Sequence, residues 1–156
     1  MKTSTCSFFG HRTINVTAEL KENLNRIIEN LIIENNVDTF LFGSKSQFDT
    51  LCYEQVTELK EKYPHIKRIY VRAEFAQISE KYKNYLLEDY EDTYHSPKAI
   101  GAGKAVYVER NFDMINKSNF CIIYYQSNYS PKNRKSGTGL ALSYAIKRNK
   151  KIILLP

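Results

Sequence analysis

The sequence lacks a long apolar run. No stretch approaches the ~20 consecutive apolar residues that a helix needs to span a bilayer. The first five residues lead directly into a short strand-like run, without the extended apolar segment and small-residue cleavage site of a signal peptide. We therefore expect a cytoplasmic protein with no membrane partner.

Cysteine and histidine are also scarce. The three cysteines are odd in number and lie in apolar segments, which favours buried, reduced thiols: Cys6, Cys52 and Cys121. The three histidines share no metal-ligand spacing with one another or with the cysteines: His11, His65 and His95. We expect no bound metal, and no cofactor is indicated.

Positive charge exceeds negative charge. Lysine and arginine number 23 against 17 acidic residues, a formal net charge of +6. Seven of the basic residues fall near the C-terminus: Lys132, Arg134, Lys135, Lys147, Arg148, Lys150 and Lys151. This balance favours an anionic partner, with a small phosphate ligand and nucleic acid both left open. For the last four residues, a solvated basic face is an equal alternative.

Strand-like and helix-like segments alternate along the chain. Five short runs, at 5–9, 39–42, 66–71, 120–125 and 152–155, are mostly continuous apolar stretches, as expected for strands buried on both faces. Residues between them recur at helical spacing, most clearly at Leu20, Leu24, Ile27, Ile28, Leu31 and Ile32. The 156 residues therefore predict one α/β domain over 1–156, a Rossmann-like three-layer fold with a mainly parallel sheet of about five strands.

One segment interrupts this alternation. Residues 73–103 carry Tyr82, Tyr85, Tyr90 and Tyr94 beside an acidic cluster at 88–92. The segment is too long for a simple connection, so we interpret it as a tyrosine-rich insertion. A functional lid and a peripheral packing element are both consistent with it.

Polar and glycine residues cluster where the predicted strands end. Ligands of open parallel sheets bind outside the carboxyl ends of the strands, and the helix N-termini that follow attract phosphate. Candidates at these positions are Gly10, His11 and Arg12 after the first strand, Gly43 and Ser44 after the second, and Ser136, Gly137 and Thr138 before the last helix. We therefore predict a phosphate-directed site at this edge of the sheet.

Each candidate also has a structural interpretation. Residues 46–49 fit a capping box, in which Asp49 would only cap a helix. Ser136 and Thr138 fit an ordinary helix start, and His11 and Arg12 fit a turn at a strand end. Arg110 and Asn111 lie at the border of an amphipathic stripe, where spacing alone favours the helix surface.

The order and spacing of these motifs resemble a known family over nearly the whole chain. The matching elements are Phe8-Phe9-Gly10-His11-Arg12, Gly43 with Phe48-Asp49, Arg110-Asn111 and Ser136-Gly137-Thr138. Together they are similar to the YpsA-like branch of the SLOG superfamily, which joins DprA and the "lonely guy" phosphoribohydrolases in one Rossmann-like fold. The resemblance implies a pocket for nucleotide-derived ligands, such as ADP-ribose-like molecules, formed by Gly10, His11, Arg12, Gly43, Phe48, Asp49, Arg110, Asn111, Gly137 and Thr138. By analogy it also suggests a homo-oligomer.

The sequence departs from the phosphoribohydrolases at one position. Ala141 stands where their motif carries the glutamate that serves hydrolysis of the N-glycosidic bond. We therefore expect binding of a nucleotide-derived signal, for sensing or sequestration, rather than turnover. A nucleotide N-glycosidase is the alternative, in which Asp49 or Glu109 would supply the missing carboxylate. Nucleic-acid binding is the second alternative, and the acidic cluster at 88–92 argues against it.

Overall fold

Six β-strands and five α-helices alternate through the described part of the chain. In the computed structural model, the described residues are 2–101, 103–126 and 136–155. In chain order the elements are β1 (Ser4–Gly10), α1 (Ala18–Asn35), β2 (Val37–Phe42), α2 (Gln47–Lys62), β3 (Lys67–Arg72), α3 (Glu80–Leu87), β4 (Asp92–His95), α4 (Ala105–Lys117), β5 (Phe120–Tyr124), α5 (Gly137–Lys147) and β6 (Lys151–Leu155). The predicted α/β fold class is confirmed.

The strands form one parallel sheet in the order β4-β3-β2-β1-β5-β6. From β1 the chain moves outward through β2 and β3 to β4, then crosses to the other side of β1 at β5. The connections therefore change direction between β1 and β5. In open sheets of this kind the crevice outside the carboxyl ends of such strands binds ligands.

Two apolar clusters cover the two faces of the sheet. Phe8 on β1 packs with Phe40 on β2 and with α1 and α2, where Leu24 and Phe48 are fully buried. The next residue of β1, Phe9, points to the opposite face and packs with α4 and α5. This alternation explains the continuous apolar runs, since side chains of successive strand residues face opposite layers. The result is the predicted three-layer arrangement.

The strand that the sequence did not predict is β4, and it lies in the segment interpreted as an insertion. Residues 73–103 contain α3 and β4, and β4 extends the sheet by pairing with β3, from Ile69↔Asp92 to Arg72↔His95. The segment thus continues the βα alternation at the edge of the sheet. The four residues of β4, Asp-Thr-Tyr-His, include only one apolar ring, because an edge strand buries less surface than a central one. The described sheet therefore has six strands, whereas about five were predicted.

The three cysteines are buried and none is in a disulfide. Their prediction as buried thiols is confirmed. In the described part of the chain, every helix is too short or too polar to cross a membrane.

Candidate functional site

A cavity of about 1160 Å³ opens outside the carboxyl ends of β1, β2 and β3. Its walls come from the ends of these strands and the residues that follow them, from one face of α4, and from the starts of α3 and α5. The cavity lies beside the point where the connections change direction, as the strand-end rule predicts. Its volume is slightly above the usual range for small-molecule sites, roughly 300–1,000 Å³.

The fold brings most of the sequence-predicted residues to this cavity. Those that line it are Gly10, His11, Arg12, Gly43, Ser44, Arg110, Asn111, Ser136, Gly137 and Thr138. Phe48 and Asp49 are buried directly behind the wall. Lys132, Arg134 and Lys135 lie outside the described residues.

Helices α2 and α5 both begin at the cavity wall. Ser46 caps α2 by accepting a hydrogen bond from the Asp49 N–H at 3.0 Å, and Ser136 caps α5 by accepting one from the Gly139 N–H at 2.9 Å. The capping residues and their neighbours Ser44 and Gly137 line the cavity. Two helix N-termini therefore present their positive dipole ends to the same space, an arrangement suited to phosphate.

The Asp49 side chain holds the loop that connects β2 to α2. Its Oδ2 accepts hydrogen bonds from the Gly43 N–H at 3.3 Å and the Ser44 N–H at 3.0 Å. Only half of the predicted capping box forms, because the Asp49 carboxylate turns back to these two amides. Burial raises the pKa of Asp49 to about 6, against the opposing effect of the Ser44 and Gly43 hydrogen bonds and the nearby Arg110 charge. The carboxylate thus shapes the loop from behind.

Arg110 is buried, with 4% of its surface exposed, yet its side chain lines the cavity. Its Nη1 donates to the Gly43 carbonyl, its Nη2 donates to Asn111 Oδ1 at 3.2 Å, and its guanidinium lies 5.7 Å from the Tyr107 ring centroid. Burial lowers its pKa, although nearby acidic groups counteract this. Arg110 is accordingly a fixed, largely desolvated cation at the wall, whereas spacing alone had favoured the helix surface.

Gly10 permits the close approach of α2 to β1. A Cβ atom at this position would lie 2.3 Å from the Phe48 ring and 2.4 Å from Phe48 Cβ. Phe48 is fully buried and packs its ring against Tyr124, with 5.6 Å between centroids. The start of α2 is thereby fixed next to the end of β1.

His11 connects the ends of β1 and β5. Its Nε2 accepts a hydrogen bond from the Gln126 N–H at 2.8 Å, so the neutral ring carries its proton on Nδ1. Burial lowers the pKa of His11. A neutral, positioned imidazole therefore lies at the point where the connections change direction.

The exposed Arg12 extends from a loop that α2 holds in place. The Arg12 carbonyl accepts from the Gln47 N–H at 2.8 Å, and Gln47 Oε1 accepts from the Ile14 N–H at 2.9 Å. The backbone around Arg12 is fixed while its guanidinium lines the cavity. A planar fork in this position can hold a phosphate with two hydrogen bonds.

The cavity has further lining residues outside the predicted site set, among which Ala73, Glu74, Phe75 and Tyr82 belong to the segment considered as a functional lid. They are Lys45, Ser46, Tyr70, Arg72, Ala73, Glu74, Phe75, Tyr82, Lys104, Tyr107 and Met114. With Lys45, Arg72 and Lys104 added to Arg12 and Arg110, the described lining contains five basic side chains, and Glu74 is its one acidic side chain. The strand-end rule would have located Arg72 and the two residues after it, had β3 been extended beyond Val71.

The two carboxylates considered for catalysis lie off the cavity wall. Asp49 is 3% exposed and occupied by backbone amides, and Glu109 accepts from the Gly101 N–H at 2.8 Å through Oε1. Ala141 is buried on α5 in the apolar cluster that faces Phe9. Within residues 2–101, 103–126 and 136–155, no group of three potential metal-ligating His, Cys, Asp or Glu side chains comes together.

The comparison with known families covers this whole arrangement. The YpsA model, which describes the YspA SLOG family, matches residues 5–156 and so includes every strand end that forms the cavity. No curated protein matches the chain. The protein belongs to the YpsA family of the SLOG group.

Proposed function

We propose that the protein binds a nucleotide-derived ligand, such as an ADP-ribose-like molecule or a cyclic nucleotide, for sensing or sequestration. The observation that carries this proposal is the meeting of two capped helix N-termini, those of α2 and α5, in one cavity. Phosphate groups bind at such termini because unpaired N–H groups and the helix dipole both favour negative charge.

The charge of the lining supports an anionic ligand. The described lining holds five basic side chains and one carboxylate, and Arg110 is held away from bulk solvent. A concave wall of one sign concentrates the field and attracts counter-ions of opposite charge. Because Arg12 is exposed, we assign it to the initial contact with the incoming ligand. Because Arg110 is buried, we assign it to a fixed contact with a phosphate of the bound ligand.

Binding is a better match to the residues than hydrolysis. Ala141 replaces the carboxylate of the phosphoribohydrolases, and neither Asp49 nor Glu109 offers a carboxylate at the wall. Glu74, the one carboxylate of the described lining, accepts a hydrogen bond from the Tyr107 hydroxyl and lies on the β3 side of the cavity, away from α5 and Ala141. General acid or base catalysis requires a group within hydrogen-bond reach of the reacting atoms. We therefore expect the ligand to be retained unchanged.

The decisive experiment is native mass spectrometry of the protein purified from cells, followed by calorimetric titration with ADP-ribose, ADP, 3′,5′-cyclic AMP and inorganic pyrophosphate. We expect a nucleotide-sized adduct and saturable binding of at least one nucleotide, with no free base released after long incubation. A gel shift with oligonucleotides at low salt should show no complex. Absence of binding to every compound would refute the proposal, and release of free base would favour the glycosidase.

A further inference from the structure

Aromatic side chains and a carboxylate occupy the β3 side of the cavity, away from α5. Glu74 and Phe75 follow β3, Tyr82 comes from α3 and Tyr107 from the first turn of α4. Their exposed fractions are high for aromatic rings: 71% for Phe75, 40% for Tyr82 and 39% for Tyr107. Large exposed rings gathered at a concave surface are typical of a binding site.

Phe75 is held in an unusual backbone conformation. Its φ of 57° lies in the left-handed region, which is unfavourable for a non-glycine residue and uncommon for a bulky one. Burial of the ring does not offset this cost, since most of the side chain is exposed. The conformation instead displays the ring at the cavity.

Glu74 is positioned by its neighbour Tyr107. The Tyr107 hydroxyl donates to Glu74 Oε1, and the Tyr107 ring lies beneath the Arg110 guanidinium. A carboxylate has about four lone-pair positions, so a single hydrogen bond leaves capacity for two more donors. Tyr107 thus contacts both the Glu74 carboxylate, which can accept further hydrogen bonds, and the Arg110 guanidinium, which is directed at phosphate.

We infer that Glu74, Phe75, Tyr82 and Tyr107 form a nucleoside subsite that selects ribonucleotides with a free 2′,3′-diol. The base stacks on the exposed rings, and Glu74 accepts hydrogen bonds from the two ribose hydroxyls. This inference rests on the proposed function, because the phosphates of the same ligand lie at α2 and α5. A carboxylate in a wall of basic residues repels phosphate and suits a donor such as a hydroxyl.

The inferred subsite narrows the class of ligand. A pyrophosphate-linked ribonucleotide such as ADP or ADP-ribose offers both the diol and the phosphates. A 3′,5′-cyclic nucleotide has no free 3′-hydroxyl, and a 2′-deoxynucleotide has only one of the two hydroxyls. Stacking tolerates every base, so the subsite does not itself choose the base.

The test is calorimetric titration of the whole protein with the four ribonucleoside diphosphates, the 2′-deoxy counterpart of the tightest one, and inorganic pyrophosphate. The wild type should bind the ribonucleotide roughly tenfold or more tightly than the deoxynucleotide, the loss typical of a hydrogen bond to a charged group. Glu74→Gln should weaken ribonucleotide binding and reduce the ribo/deoxy ratio to near one. Pyrophosphate affinity should stay the same or rise.

Two aromatic substitutions separate stacking from folding. Phe75→Asn should weaken nucleotide binding roughly five- to hundredfold. Because asparagine tolerates the left-handed region, it should keep or raise the melting temperature. Tyr82→Leu should weaken nucleotide binding without affecting pyrophosphate. Tyr85→Leu is the comparison, because Tyr85 lies on the same helix, is 61% exposed and is not part of the cavity lining. The Tyr85 ring stacks on that of Tyr82, with 6.2 Å between centroids, so Tyr85→Leu should cause a smaller loss than Tyr82→Leu.

The outcomes distinguish this inference from the proposed function. Nucleotide binding that Glu74→Gln, Phe75→Asn and Tyr82→Leu all leave unchanged would overturn the subsite and leave the proposed function standing. An equal loss in Tyr82→Leu and Tyr85→Leu would overturn the role of Tyr82. No binding of any diphosphate or of pyrophosphate by the wild type would refute both.

Discussion

Asp49 and Arg110 hold Gly43 from its two sides. Asp49 Oδ2 accepts from the Gly43 N–H, and Arg110 Nη1 donates to the Gly43 carbonyl. The buried acid therefore fixes the loop that begins α2, while the buried base stays directed at the cavity. A Cβ at Gly43 would lie 2.8 Å from Arg110 Nε, so only glycine leaves room for this arrangement.

Ionisation of Asp49 should make stability depend on pH. Its folded pKa is about 6, above the ordinary 3.8, so between about pH 4 and 6 the folded protein keeps a proton that the unfolded chain has released. The free energy of unfolding should fall as pH rises through this window, by about 2–3 kcal/mol at most.

Asp49→Asn isolates this effect, because an amide oxygen can accept the same two N–H bonds without a charge. In urea unfolding, the free energy of unfolding of the variant relative to the wild type should rise by about 2–3 kcal/mol between pH 4 and pH 7. Other carboxylates cancel in the difference between the two proteins. A difference that stays constant with pH would show that Asp49 does not titrate in this range.

Arg110→Lys tests the fixed cation. Lysine keeps the charge but loses the planar fork that contacts Gly43 and Asn111 together. We expect ADP-ribose affinity to fall by ~1–3 kcal/mol, the usual contribution of a charge-assisted contact. Arg148→Lys, at the exposed C-terminal end of α5, is the control. Calorimetry that finds equal affinities for the two variants would remove Arg110 from the site.

The central strands and the strand-end site could be predicted because local patterns encode them. Runs such as 120–125 are apolar throughout because both faces are covered, and Gly10, Gly43 and Gly137 mark the strand and helix ends around the cavity. The strand β4 was missed since an edge position permits a short, polar sequence. Its absence from the prediction made residues 73–103 resemble an insertion rather than a regular βα unit.

The burial of Arg110 could not be predicted from spacing. It depends on the missing side chain of Gly43, which lies 67 residues earlier and reaches α4 only through the tertiary fold. The placement of Phe75 likewise depends on a left-handed φ and on the course of the chain after β3. Such features arise from long-range packing, so a local pattern carries little information about them.

Arg12→Ala tests the exposed cation at the end of β1. Arg12 is anchored by its backbone carbonyl, so removal of the side chain should leave the loop and the melting temperature unchanged. We expect ADP-ribose binding to weaken by ~1–3 kcal/mol and to lose part of its salt dependence. Arg26→Ala, on the exposed face of α1, is the matched control. Unchanged affinity in Arg12→Ala by calorimetry would reject the phosphate role of Arg12.

Gly10→Ala tests the contact that places α2 beside β1. The added Cβ would meet the Phe48 ring at 2.3 Å and Phe48 Cβ at 2.4 Å. A change of ring rotamer cannot relieve the second contact, so the start of α2 must move. We expect a loss of about 3 kcal/mol in urea unfolding, the upper end of the usual cost of overpacking, together with weaker ADP-ribose binding. Gly137→Ala is the control, because an added Cβ there meets no atom of the described residues within 4 Å. Similar unfolding midpoints for the two variants would mean that α2 adjusts freely, and Gly10 would then be needed for something other than close packing.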